Sequence, residues 1–127
     1  MTAALLVLLG GAVGAPARHL LGLWVTNRVR HRRFGRLPWG TFAVNMVGSL
    51  VLGLVAALVA GGAPGWLLTG VGTGFCGALT TFSTFGIETV NLIERGRLEA
   101  AVASVTASLL VGLLACITGW QLGAALT

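Results

Sequence analysis

Three stretches of this chain, residues 1–17, 38–87 and 100–127, contain no Asp, Glu, Lys or Arg. A soluble domain carries charge on roughly a quarter of its residues, whereas here charged residues make up 9% of 127. Long, mostly apolar, charge-free runs are what a bilayer-crossing helix requires. With 56% hydrophobic residues and a mean hydropathy of +0.94, the chain also lies far from the composition of intrinsic disorder. The length suits one domain, so residues 1–127 are read as a single transmembrane domain.

A span needs about 20 apolar residues, and the run over 38–87 is too long for one. Gly61-Gly62-Ala63-Pro64-Gly65 supplies the break, because Pro and Gly in succession oppose helix continuation. The first run is short and must continue through Arg18 and His19 to cross about 30 Å at 1.5 Å per residue. The expected fold is therefore an all-α membrane protein with four transmembrane helices, over residues 3–26, 38–60, 66–94 and 98–124. Trp24, Trp39 and Trp66 fall near span ends, and Trp120 near the end of the fourth, as interfacial aromatics tend to. Ala15-Pro16-Ala17 resembles a signal-peptide cleavage site, but the positive n-region of such a peptide is missing. Cys76 and Cys116 lie inside spans and read as buried thiols.

A net charge of +5 could advertise nucleic-acid binding, so the placement of the arginines decides. Arg28, Arg30, Arg32, Arg33 and Arg36 lie between the first two spans, and Arg95 and Arg97 between the third and fourth. Four spans put these connectors on one side, while both termini and the Gly61 to Gly65 turn, on the other, carry no Lys or Arg. The positive-inside rule then predicts a multi-pass protein of the cytoplasmic (inner) membrane with arginine connectors cytoplasmic and termini outside. Membrane lipid headgroups, not nucleic acid, are the expected partners of the arginines.

Polar groups at membrane depth need partners or a water-filled path, which makes them the functional shortlist. Thr41, Asn45, Ser49 and Gly53 recur every four residues along one face of the second helix, and Ser104, Ser108, Gly112 and Cys116 do so on the fourth. Small and hydroxylated residues at that spacing also serve helix packing, but an Asn amide is larger than packing requires and costly to bury unpaired. The third span holds Thr80-Thr81-Phe82-Ser83-Thr84, whose hydroxyls compete with the helical backbone, with Gly77 one turn before them. A helix broken mid-membrane near residues 77–84 is expected. Carbonyls freed there would be oxygen ligands for a hard cation such as Na⁺. Glu88, one turn after Thr84, is either a polar relay or an interfacial charge.

Three ordered motifs then resemble the Fluc (CrcB) fluoride channels: Gly10 to Arg18, Gly40 to Ser49, and Gly74 to Phe85 ending in Thr-Thr-Phe-Ser-Thr-Phe, followed by Glu88. The resemblance implies an antiparallel dual-topology dimer with two narrow pores and a structural, untransported Na⁺ at its centre. It puts Asn45, Phe82, Phe85, Thr41, Ser108 and Ser83 on the anion path, Asn45 as a donor and the two Phe rings presenting their edges. Arg18 would line an aqueous vestibule, and Gly77 and Thr80 would give Na⁺ their backbone carbonyls. Some relatives carry a further hydroxyl one turn beyond Ser108, where this chain has Gly112. Fluoride is small and strongly hydrated, so a path must replace its water with donors that do not trap it. Amide N–H groups, hydroxyls and ring edges are such donors.

The implied function is a fluoride-specific channel for passive export. The alternatives are a proton-coupled small multidrug, cation or fluoride exporter, and a non-transporting membrane assembly protein. Exporters of the first kind resemble one another in a membrane-embedded carboxylate, usually in the first helix, and this first helix has none. No His, Cys or carboxylate cluster has catalytic spacing, so an enzyme is not expected. The arginine bias opposes insertion in both orientations, and it predicts pairing in cells with a related, oppositely oriented chain, although a homodimer can form when the chain is expressed alone.

Overall fold

The computed structural model describes residues 1–29 and 37–127. Arg30, Arg32, Arg33 and Arg36 lie outside the described residues, so four of the arginines behind the orientation argument have no structural account. The described chain is helical, with no strand among its described residues. In order it forms α1 (Thr2–Val29), α2 (Trp39–Ala60), a π-helix (Leu68–Cys76), α3 (Gly77–Leu79), α4 (Phe82–Glu94) and α5 (Leu98–Ala125). Three of these, α1, α2 and α5, are long and apolar enough to cross a membrane.

Local chemistry sets the ends. α1 runs unbroken through Pro16, which removes one backbone donor from its interior. α2 starts directly after Pro38, where a missing N–H leaves no intrahelical bond unmade. It ends at Gly61 and Gly62, the latter at φ 107°, a left-handed conformation that favours glycine. The Gly62 and Ala63 amides donate back to Val59 and Leu58, satisfying the last carbonyls. Gly96, at φ 69°, closes α4 in the same way, with Arg97 N–H donating to the Leu92 carbonyl at 2.8 Å.

α2 is the central helix and packs against α5, α1 and the π-helix. Its contact with α5 is made backbone to backbone. A Cβ on Gly53 would overlap the Cys116 carbonyl, one on Gly119 the Leu50 carbonyl, and one on Gly123 would lie 2.6 Å from the Leu54 carbonyl. Without a hydrophobic force between helices in lipid, such close approach is what holds them together. A second glycine seam joins α1 to the π-helix, where Gly10 and Gly14 face the Gly70 and Phe75 carbonyls. Val44 of α2 and Leu79 of α3 are almost fully buried. At the far end of α1, Arg28 lies over the Trp24 ring at 5.2 Å, a pairing suited to a membrane interface.

The segment expected to form a third span broken near residues 77–84 consists of three helical pieces, the π-helix, α3 and α4. The break falls at Thr80 and Thr81, both extended. The π-helical winding before it was not foreseen. Its Gly70, Gly72 and Gly74 let it lie close to α1 and α2.

Candidate functional site

The break is made by an exchange of hydrogen-bond partners. In a continuous α-helix the Thr81 amide would donate to the Gly77 carbonyl and the Thr84 amide to the Thr80 carbonyl. Here Thr81 N–H donates instead to Asn45 Oδ1 at 2.9 Å, and Thr84 N–H to Thr81 Oγ1 at 3.2 Å. Asn45 Nδ2 in turn donates to the Thr81 carbonyl at 3.3 Å. The Asn side chain thus acts as a substitute peptide group, one acceptor and one donor, for a residue that has left the helix. Gly77 and Thr80 are left with carbonyls that have lost their helical donors.

Thr81 is the hub of this arrangement. It is buried, at 9% exposure, and its hydroxyl caps α4, donates to Thr84 Oγ1 at 3.0 Å and lies 3.3 Å from Ser83 Oγ. Upstream, the Thr80 amide and hydroxyl both donate to the Cys76 carbonyl at 2.9 Å and close α3. Gly48 of α2 makes room for Thr80, since a Cβ there would overlap the Thr80 methyl. Thr81 is not on the sequence-derived shortlist of site residues, although a Thr directly before an apolar helical run is a readable N-cap signal.

Two cavities meet at Thr81. The first, about 600 Å³, is lined by Asn45, Ser49, Gly77, Thr80, Phe85 and Ser108 among others, and no charged residue among those described faces it. Phe82 borders it and is 83% exposed, with its ring centroid 5.9 Å from that of Phe85. The second, about 460 Å³, is lined by Arg18, His19, Thr41, Thr84 and Glu88. There the Thr41 hydroxyl donates to Glu88 Oε1 at 3.0 Å. Glu88 Oε2 is buried with no hydrogen-bond partner among the described residues.

The sequence-derived shortlist is therefore divided between two places. Asn45, Phe82, Phe85, Ser108, Gly77 and Thr80 belong to the first cavity, and Thr41, Arg18 and Glu88 to the second. Ser83 is exposed, lines neither, and is tied in only through Thr81. No group of three or more His, Cys, Asp or Glu converges among the described residues. The first cavity offers dipoles alone, the second offers formal charges of both signs.

The family model described as CrcB-like protein, Camphor Resistance (CrcB) matches residues 5–120. A relative from Nocardia farcinica, named fluoride-specific ion channel FluC 1, is 53% identical over 81% of this chain and 68% of its own length. Another from Symbiobacterium thermophilum, with the same name, is 47% identical over 92% of this chain and 95% of its own. Fluoride-specific ion channel FluC 2 of Natronomonas pharaonis is 45% identical over 97% and 96%.

Proposed function

The chain belongs to the CrcB family, and on that premise we propose that it is a multi-pass fluoride channel of the cell membrane through which fluoride leaves passively. Its relatives bear the name of a channel, and it is not an enzyme. The observation that carries the reading is the first cavity: an apolar wall set with hydroxyl and amide groups and without a formal charge. A small, strongly hydrated anion needs donors in place of its water, yet a buried Arg or Lys would hold it. Asn45, Ser108 and the edges of Phe82 and Phe85 meet both demands. Arg18 and Thr41 serve the second cavity as a vestibule where anions collect, and Glu88, bonded to Thr41, is a polar relay at its inner wall.

Na⁺ is the resident cation of this reading. The carbonyls of Gly77 and Thr80, deprived of helical donors, are hard oxygen ligands of the kind Na⁺ takes, and both residues line the first cavity. Bound there, Na⁺ would hold the broken segment in place and is not carried across. A second subunit in antiparallel orientation completes the path and covers exposed Phe82. In cells that subunit is an oppositely oriented relative, because Arg28, Arg95 and Arg97, with the arginines of the first connector, bias insertion one way.

Fluoride efflux from liposomes containing the purified protein together with its oppositely oriented partner tests the function. Fluoride leaving down its gradient without a proton gradient is expected. No flux, or flux driven uphill by protons, rejects the channel. Tags at the termini test the pairing, and equal insertion in both orientations would sink it.

A further inference from the structure

We infer that Ser49 is a further residue of the anion path, supplying a hydroxyl donor at the level of α5 where Gly112 offers none. This rests on the fluoride reading of the first cavity.

The inference starts from hydroxyls that are not used. A Ser or Thr inside a helix commonly donates to the carbonyl four residues back, and Thr80, Thr89 and Thr118 do so at 2.8 to 2.9 Å. Ser49 and Ser108 do not. Both are half-buried, both line the first cavity, and among the described residues neither hydroxyl has a hydrogen-bond partner. Neither oxygen is sealed in the wall, so each O–H is free for an acceptor inside the cavity. An anion passing through the cavity is that acceptor, because a hydrogen bond to a charged group is stronger than one between neutral groups.

Position gives Ser49 its own task. It stands one helical turn from Asn45 on α2, as Gly112 stands one turn from Ser108 on α5. The two second-turn positions are neighbours across the helix pair: a Cβ built on Gly112 would lie 3.8 Å from Ser49 Oγ and 3.4 Å from the Met46 terminal methyl. These are ordinary contacts, so the space over Gly112 accepts a small side chain. Asn45 and Ser108 thus form one tier of donors, and Ser49 is the hydroxyl that the α2–α5 pair offers in the next.

The exchangeable geometry gives the test. Fluoride efflux is measured from liposomes holding the oppositely oriented partner with the full chain, Ser49→Ala, Ser49→Thr, or the double variant Ser49→Ala/Gly112→Ser, each checked for the elution volume of the unaltered protein. Ser49→Ala is expected to slow efflux about tenfold, the rate equivalent of one hydrogen bond to an anion. Ser49→Thr, or a hydroxyl returned from α5 in the double variant, is expected to restore it to within about threefold. If the unaltered chain conducts and Ser49→Ala conducts as fast, the inference is overturned while the fluoride reading stands. It is overturned equally if Ser49→Ala is slow and neither hydroxyl-bearing variant recovers, since Ser49 then only packs. If the unaltered chain passes no fluoride, it is the fluoride reading that fails.

Discussion

The two cavities on either side of Thr81 differ in the kind of electrostatics they present. The second carries formal charge, with Arg18 and Glu88 on its walls. Among the described residues, the polar side-chain groups on the first are amide, hydroxyl and thiol, set in an aliphatic and aromatic wall. Charge acts over about a Debye length, roughly 8 Å at physiological salt, and gathers counterions without needing to touch them. Dipoles act at contact, so they replace lost water while leaving no deep well. On the proposed reading the difference teaches a division of labour: recruitment on one side of the break and dehydrated passage on the other.

That division is most exposed to attack at Asn45, which serves both the break and the first cavity. Asn45→Ala removes two hydrogen bonds and strands the buried Thr81 amide, a loss of about 3 kcal/mol. Efflux should fall more than about 100-fold, with a lower melting temperature for the purified protein. Asn45→Asp sharpens the point, because a carboxylate still accepts from Thr81 N–H yet repels an anion. It should restore part of the thermal stability and none of the flux. Phe82→Ile comes next: it keeps an apolar surface but removes a positively polarised ring edge, and about a tenfold slower efflux is expected. Equal flux in that variant would reduce Phe82 to packing.

Changes to the charged cavity should be milder and should depend on salt. Arg18→Gln is expected to lower efflux about threefold in dilute buffer, with the deficit vanishing near 1 M salt, where the screening length is about 3 Å. A deficit that persists in high salt would mean that Arg18 touches the anion, and the division would break. Glu88→Gln keeps an oxygen that accepts from Thr41 and removes a like charge, so a rise of about twofold at low salt is the smallest effect foreseen. Comparing the salt series of Arg18→Gln and Ser108→Ala provides the cleanest contrast, since only the first should respond.

Much of this arrangement is written locally in the chain. The Gly61 to Gly65 turn, the hydroxyl run that breaks the third segment and the anomaly of an Asn on a membrane face are all visible as short patterns. What those patterns lack is the partner. Asn45 meets Thr81 across 36 positions and Thr41 meets Glu88 across 47, and only the packing of α2 against the broken segment makes these pairs. The division of the shortlist between two cavities was hidden for the same reason, because Thr41 and Asn45 are one turn apart in sequence yet open onto opposite sides of Thr81. The π-helical winding of Leu68–Cys76 was out of reach for another reason. A shift of each bond by one residue over so short a stretch leaves no distinct periodicity in a Gly-rich and Thr-rich segment.

The glycine seam between α2 and α5 bears on how the molecule can move. Each carbonyl of one helix sits in the gap of a missing side chain on the other, at Gly53, Gly119 and Gly123. A screw shift of either helix by one residue, a rise of about 1.5 Å, would bring Leu52 or Leu54, Thr118 or Trp120, and Leu122 or Ala124 against those carbonyls. The pair is therefore keyed like a bolt in its slot, and α2 with α5 moves as one piece. A transport cycle that rocks one helix past the other would have to withdraw that bolt at every turnover, whereas an ion threading past a fixed wall would not disturb it.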